Sequence, residues 1–289
     1  MRKRFYWKLR DREVALGAAP LTMAVIPVTP EAAPDGEKYI DADRAFARAL
    51  HSEEQGADLI ELSVETLRPG LALTGEETQI HRLVPVLKRL RGKLAIPVIV
   101  RTRLSGVAQR AIEHGADAIF DPSGLTSDIA LAKEVSNAGL GLMLGQMRGG
   151  PEMWARLGAP ANPVATAVAD LQAAIHRAIR ANLTREMLMV DPALGLGKRK
   201  EENASLLAGM NGFNRNDVPF AVHLDSLAGQ PADLDAAIVA AVLGGAYLIA
   251  VFNVGPAIPL IRAADAIASA QIDTPAEPEA PPPKFQRSR

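Results

Sequence analysis

The 289-residue sequence predicts an α/β fold, a (β/α)8 TIM barrel with a short N-terminal β-hairpin and a proline-rich C-terminal tail. Eight short runs rich in aliphatic and β-branched residues alternate with longer helical patterns, which is the element count of such a barrel. Three runs follow a Gly-Ala pair, in QGADLI, HGADAI and GGAYLI, as expected where a glycine ends a helix before a strand. A doubly wound sheet is the alternative, but no GxGxxG follows the first strand.

Each element has its own signal in chain order. Residues 1–18 predict a hairpin packed on the barrel, because apolar residues alternate on both sides of the polar turn RDRE. The barrel domain then spans 19–270. The predicted strands are 21–28, 58–63, 96–101, 117–121, 140–146, 187–191, 219–224 and 247–252. The predicted helices lie near 41–55, 75–91, 105–114, 127–138, 165–182, 200–210, 232–244 and 257–269.

Two segments need a separate interpretation. Residues 236–261 contain no charged residue and are long enough to cross a membrane. Glycines and prolines interrupt this segment, so a helix, a buried strand and a loop explain it better than a membrane span. The tail, 271–289, is rich in proline and charge and poor in apolar residues, and we expect it to be disordered.

Composition excludes several classes of function. A net charge of −1 gives no indication of nucleic acid or of an anionic membrane as a partner. The absence of cysteine rules out disulfides, zinc–cysteine sites and thiol nucleophiles. Five scattered histidines without an HExxH pattern argue against a zinc enzyme. The basic N-terminus lacks the apolar core of a signal peptide, so we expect a cytoplasmic protein.

In a barrel of this kind the chemistry lies at the carboxyl ends of the strands. There the sequence places Arg101 and Arg103 at the mouth of an apolar strand, and Asp191, His223 and Asp225 after later strands. Both signs of charge converge, which suits a small polar molecule, including an anionic one. The alternative is that these charges only satisfy one another.

Ordered motifs over about residues 5–270 resemble dihydropteroate synthase. VIPVTPEAAPDG (25–36) is similar to the family pattern NVTPDSFSDGG, and ELSVETLRPG (61–70) is similar to DIGGESTRPG. GADAIFDPSGL (115–125) is similar to GAxIINDVSGL, and LMLGQMRGGPEMW (142–154) is similar to LMHMxGxP. VDPALGLGKRKEENASLL (190–207) is similar to DPGxGFGKxxxxNxxLL.

The resemblance implies a pterin-binding barrel of folate biosynthesis. Such enzymes condense a pterin carrying a methylene pyrophosphate with p-aminobenzoate, usually with magnesium, and are usually dimers. The pterin lies deep in the barrel, held by two aspartates, an asparagine and a lysine. The pyrophosphate is held by a first-loop asparagine, a second-loop threonine and arginine, and a final Arg-x-His pair.

The chain keeps the scaffold of this family but departs from its reacting groups. Asp191, Glu65 and Arg68 match the family pattern, whereas Arg101 stands where the third strand carries an aspartate and Phe120 stands where the fourth carries an asparagine, followed by Asp121. HLDSLAG replaces S-R-K after the seventh strand. The further departures are Pro27, Leu67, Gln146, Ala250 and Phe252.

We therefore expect a dihydropteroate synthase-like protein that is impaired or inactive in the condensation and acts as a ligand-binding or partner subunit. Its ligand would be a pterin-like or other small polar molecule, and it would form a homodimer or a heterodimer with a paralogue. No catalytic residue is assigned, and magnesium is expected only if the pyrophosphate site works. The candidate substrate-binding residues are Asp191, Asp121, Arg68, Glu65, Arg101 and Lys198.

Three alternatives stay open. An active transferase could use Arg101, Arg103 and Arg68 for pyrophosphate and Asp191 for the pterin. A methyltransferase that shares the pterin-binding barrel is the second. In the third, Arg101 only pairs with Asp121 or Asp191 across the mouth of the barrel.

Overall fold

Eight parallel strands form the barrel in a computed structural model that describes residues 2–227 and 231–270. The neighbour order is β8-β7-β6-β5-β4-β3-β10-β9, all parallel. A parallel bridge between Val190 and Phe220 joins β8 to the residue before β9 and closes the circle. The strands are β3 Leu21–Pro27, β4 Leu59–Ser63, β5 Val98–Arg101, β6 Ala118–Asp121, β7 Gly141–Gly145, β8 Leu188–Asp191, β9 Ala221–His223 and β10 Leu248–Val251.

A helix follows each barrel strand, so the predicted TIM barrel is confirmed. The helices are α1 Ala42–Glu54, α2 Glu76–Leu90, α3 Ser105–Glu113, α4 Ala130–Ala138, α5 Pro163–Arg180, α6 Lys200–Ala208, α7 Pro231–Leu243 and α8 Val254–Ser269. Helix α4 starts three residues later than predicted, because the Asp128 side chain accepts hydrogen bonds from Ser105 N and Ala130 N outside the helix. Helix α8 starts three residues earlier, since Pro256 lies in its first turn, where no N–H donor is needed.

The Gly-Ala pairs end three helices in the same way. Gly56, Gly115 and Gly245 have φ values of 98°, 97° and 92°, a left-handed conformation that glycine adopts without steric cost. The amide of the following alanine then bonds back to the helix, as in Ala57 N to Ser52 O at 2.9 Å. The turn thus feeds each chain directly into a buried strand.

The N-terminal hairpin closes the bottom of the barrel. Strands β1 Phe5–Lys8 and β2 Glu13–Leu16 are antiparallel. Trp7 is buried and its indole Nε1 donates to the Met187 carbonyl, just before β8, at 3.1 Å. Arg10 donates to the carbonyls of Ile112 and Ala116 at the end of α3. The hairpin therefore covers the end of the barrel opposite to the strand-end loops.

The uncharged segment 236–261 divides among α7, β10 and the first half of α8. Within residues 2–227 and 231–270, no helix combines the length and apolarity needed to cross a membrane. The predicted disordered tail, 271–289, lies outside the described residues.

Candidate functional site

Arg101 projects from the end of β5 into the barrel and forms ion pairs there. Its Nε lies 3.1 Å from Glu61 Oε1 on β4, and its Nη2 lies 3.1 Å from Asp225 Oδ2 after β9. The same guanidinium donates twice to Ser63 Oγ, at 2.7 and 3.0 Å. Glu61 is fully buried. A guanidinium has donors only, so carboxylates on both sides match its chemistry.

His223 lies between two further carboxylate oxygens. Its Nδ1 is 2.8 Å from Asp191 Oδ2 and its Nε2 is 2.6 Å from Glu61 Oε2. Ionised carboxylates only accept hydrogen bonds, so both ring nitrogens carry protons and the ring is an imidazolium. Burial disfavours this charge, but Glu61 and Asp191 outweigh it and raise the pKa of His223 to about 10. Glu61, Arg101, Asp191, His223 and Asp225 are named here the interior charge network.

Phe120, on β6, stacks on the histidine across the interior of the barrel. The two rings stack with centroids 4.5 Å apart and an interplanar angle of 19°. Phe120 and Asp191 have no exposed surface, and the Oδ1 of Asp191 accepts from Ala193 N at 2.5 Å. Both oxygens of Asp191 are therefore hydrogen-bonded to protein groups within a packed interior.

The network carries a surplus of negative charge. Glu61, Asp191 and Asp225 face the two cations Arg101 and His223, which leaves a formal charge of −1. Burial raises the pKa of Asp225, but Arg101 and then His223 outweigh burial and hold it below its ordinary value. Arg101 and His223 thus favour the ionised form of Asp225.

Glu65 forms a separate pair with Arg103. The Arg103 Nε and Nη2 lie 3.2 Å from Glu65 Oε2 and Oε1, a two-pronged contact. Glu65 Oε1 also accepts from Thr74 N at 2.6 Å. Glu65 thus connects the second loop to the residues that follow β5.

Asp121 turns back onto its own loop. Its Oδ1 accepts from Ser123 N and Oγ, and its Oδ2 from Leu125 N, at 2.6 to 2.8 Å. Burial raises the pKa of Asp121 to about 6, although these hydrogen bonds work in the opposite direction. The side chain has no exposed surface and shapes the loop that follows β6.

Lys198 connects two loops through backbone carbonyls. Its ammonium donates to the oxygens of Gln146, Ala193 and Leu196, at 2.5, 2.9 and 3.2 Å. Burial lowers the pKa of Lys198 to about 7, against the attraction of Asp191. Ala193 has a φ of 50°, a strained value for a residue with a Cβ. The family pattern DPGxGFGK has glycine at this position.

A cavity of about 400 Å³, named here the mouth cavity, remains open above the network. Of the candidate residues, Glu65, Arg68 and Arg101 line it, whereas Asp121, Asp191 and Lys198 do not. Arg68 is exposed at its rim. The lining residues used below are Val25, Pro27, Glu31, Leu67, Arg68, Arg101, Leu196, Asp225 and Phe252.

The alternative in which Arg101 pairs with Asp121 or Asp191 is wrong. Both of those carboxylates are hydrogen-bonded elsewhere, and the partners of Arg101 are Glu61, Ser63 and Asp225. Glu61 and Ser63 were absent from the candidate residues. A signal for Glu61 existed, since it is the one charged residue in the run LIELS, which is buried throughout.

The donor set does not fit magnesium. In the part of the chain that the structure describes, no group of three or more His, Asp or Glu side chains has a metal-binding arrangement. The carboxylates nearest the mouth, Glu65 and Asp225, are held by Arg103 and Arg101.

Comparisons with known proteins agree on one relationship. The model of a family described as pterin binding enzyme matches residues 23–225. The dihydropteroate synthase of Clostridium beijerinckii is 31% identical over 208 residues, which cover 72% of this chain and 74% of that protein. That of Escherichia coli is 28% identical over 264 residues, 87% and 93% of the two chains.

Solved structures lead to the same relatives. The Yersinia pestis dihydropteroate synthase in a sulfonamide drug complex superposes with a TM-score of 0.83 at 25% identity, covering 92% of this chain and all of that one. The Thermus thermophilus enzyme in complex with 4-aminobenzoate has a TM-score of 0.75 at 28% identity, covering 91% and 99%.

Proposed function

We propose that this chain, which belongs to the pterin-binding enzyme family and is a dihydropteroate synthase-like protein of folate-biosynthesis ancestry, does not perform the ordinary condensation. It binds a different small polar molecule at the barrel mouth and acts as a ligand-binding or partner subunit. The supporting observation is the interior charge network, which occupies the position where the resemblance places the pterin.

A pterin would have to displace buried charges to reach this position. Asp191, the retained pterin-binding aspartate of the resemblance, bonds to Ala193 N and to His223, and Phe120 stacks on that histidine. Removing one partner from a buried ion pair costs about 3–5 kcal/mol, because the other charge is left uncompensated. A neutral pterin offers no charge to replace the imidazolium.

The pyrophosphate end has also lost most of its binding groups. Pro27, Leu67, Ala250 and Phe252 stand where the resemblance places binding groups, and Arg68 alone is retained from that set. Each lost contact to a developing charge corresponds to about 2.7–4 kcal/mol of transition-state stabilisation. Two or more such losses make the ordinary turnover too slow to be useful.

The test is an assay of pteroate formation from the pterin pyrophosphate and 4-aminobenzoate, run beside the Clostridium beijerinckii enzyme. We expect no product above the enzyme-free background at equal protein concentration. Turnover within about tenfold of the reference enzyme would overturn the proposal and favour an active transferase with a rearranged site.

The partner-subunit part of the proposal concerns α7 and α8. Segment 236–261 has no charge, and Leu243 and Ile267 on these helices are 49% and 66% exposed. Exposed apolar side chains of this kind favour burial against another surface, so the ends of these two helices suit contact with a second copy of the chain or a related barrel.

A further inference from the structure

The mouth cavity presents one acid and one base at its floor. Arg101 and Asp225 both line it and pair with each other at 3.1 Å. The contacts of Arg101 to described residues use its Nε and Nη2, so Nη1 is available to a ligand. The floor therefore offers a donor and an acceptor side by side.

The rim of the mouth cavity also presents one acid, Glu31, and one base, Arg68. Thr66 Oγ1 donates to one oxygen of Glu31, at 2.7 Å, and the partly exposed carboxylate is ionised, since its pKa is held below the ordinary value. Arg68 is exposed and has no ion-pair partner within residues 2–227 and 231–270. Acid and base thus stand at both depths of the cavity.

The walls between floor and rim are apolar. Val25, Pro27, Leu67, Leu196 and Phe252 contribute to the lining. A volume of about 400 Å³ falls within the range of small-molecule pockets and suits a compact body such as one substituted ring. Both oxygens of Glu65, the third carboxylate of the lining, are occupied by Arg103 and Thr74 N, whereas Asp225 bonds to Arg101 through Oδ2 and its Oδ1 has no partner among the described residues.

We infer that the mouth cavity binds a small zwitterion, a molecule with an ammonium group and a carboxylate on a short apolar body. The inference rests on the proposed function and deepens it by naming the ligand class. A zwitterion meets both signs of charge, whereas a polyanion such as pyrophosphate would find as many acids as bases and, beneath them, a network of net negative charge.

Three para-substituted probes that share one benzene ring test the inference by calorimetric titration. They are 4-(aminomethyl)benzoate as the zwitterion, 4-methylbenzoate as the anion and 4-methylbenzylamine as the cation. We expect the zwitterion to bind about tenfold or more tightly than either other probe, since each loses one charge-assisted hydrogen bond. Equal affinities for the three probes, or no binding of the zwitterion, would overturn the inference.

Variants locate the two charges. With the ammonium at the floor, Asp225→Asn should weaken the zwitterion towards the affinity of the anion and Arg68→Met towards that of the cation. With the ammonium at the rim, Glu31→Gln should weaken the zwitterion towards the affinity of the anion. Asp11→Asn, an exposed change in the hairpin at the opposite end of the barrel, should leave it unchanged. Because Glu31 and Arg68 are partly or fully exposed, their variants keep the test valid even if Asp225→Asn does not fold. Zwitterion binding that is unaffected by both rim variants would contradict the assignment.

A parallel titration with the pterin pyrophosphate separates this inference from the proposed function. If the pterin binds and turns over, the proposed function fails. If the pterin does not bind and the probes do not discriminate, only the zwitterion inference fails.

Discussion

At the scale of single residues, Arg101 combines a change of charge with a change of role. The resemblance places a pterin-binding aspartate at this position, and the structure has a guanidinium there that is buried against Glu61 and Asp225. Asp225 lies in the segment that replaces the lysine-containing S-R-K motif. Where the resemblance has an aspartate and a lysine-containing motif, this chain has Arg101 and Asp225, and these two side chains pair with each other.

A double-mutant cycle measures this pair. Arg101→Met leaves Asp225 buried without its main partner and should lower the free energy of unfolding by about 3–5 kcal/mol. Adding Asp225→Leu removes the unpaired charge. The loss of unfolding free energy in the double variant should therefore be about 1–3 kcal/mol smaller than the sum of the losses in the two single variants. Denaturant unfolding gives all four values. Strict additivity would mean that the 3.1 Å contact contributes no coupling.

His223 makes stability depend on pH in a defined direction. Its pKa is about 10 in the fold, against an ordinary value of 6.5, so its contribution is complete below about pH 6.5 and is lost as the pH rises towards 10. The pKa of Lys198 is lowered to about 7 in the fold, so its contribution to the free energy of unfolding increases as the pH rises from 7 to 10.5, in the opposite direction to that of His223. The difference between the parent protein and His223→Gln isolates the histidine.

That difference in unfolding free energy should shrink by several kcal/mol between pH 6 and pH 10, since each unit of pKa displacement corresponds to about 1.4 kcal/mol. The measurement is urea unfolding of both proteins across this range. His81→Gln, an exposed change on α2, serves as the control and should follow the parent protein. A constant difference would show that the ring is not the imidazolium described.

At the scale of elements, the N-terminal hairpin stabilises the barrel from below. Trp7 is 1% exposed and Tyr6, the next residue along the same strand, is 58% exposed. Trp7→Ala should therefore lower the free energy of unfolding by about 3–5 kcal/mol through lost burial and a lost hydrogen bond to Met187. Tyr6→Ala should change it by less than about 0.5 kcal/mol. Similar effects of both changes would contradict the packing of the hairpin on the barrel.

The elements were largely predictable because their signals are local. The Gly-Ala pairs mark the ends of three helices, and each predicted strand overlaps an observed one. The starts of α4 and α8 were harder to predict. Asp128 bonds to Ser105, 23 residues away, and such a contact leaves no trace in the local pattern.

The site was predictable only in part for the same reason. The sequence reveals the departures at Arg101 and Phe120, because each can be compared with a motif. It does not reveal that Glu61 contacts both Arg101 and His223, which lies 162 residues away. Such contacts depend on strand order around the closed barrel and on side-chain rotamers, and neither is encoded in a spacing.

At the scale of the whole molecule, the proposed self-association predicts a measurable change of mass. Leu243→Glu combined with Ile267→Glu places charges on the exposed face of α7 and α8 and should shift the protein from a dimer to a single chain in sedimentation experiments. Ile129→Glu, a change at a 56% exposed residue before α4, is the matched control and should keep the dimer. A parent protein that sediments as a single chain would remove this part of the proposal.

The central claim is that internal charges fill the position of the pterin, and calorimetric titration with the pterin pyrophosphate tests it most directly. We predict no binding heat under conditions in which the Clostridium beijerinckii dihydropteroate synthase is saturated. One-to-one binding with an affinity close to that of the reference enzyme would show that the network of Glu61, Arg101, Asp191, His223 and Asp225 opens readily, and would contradict the account.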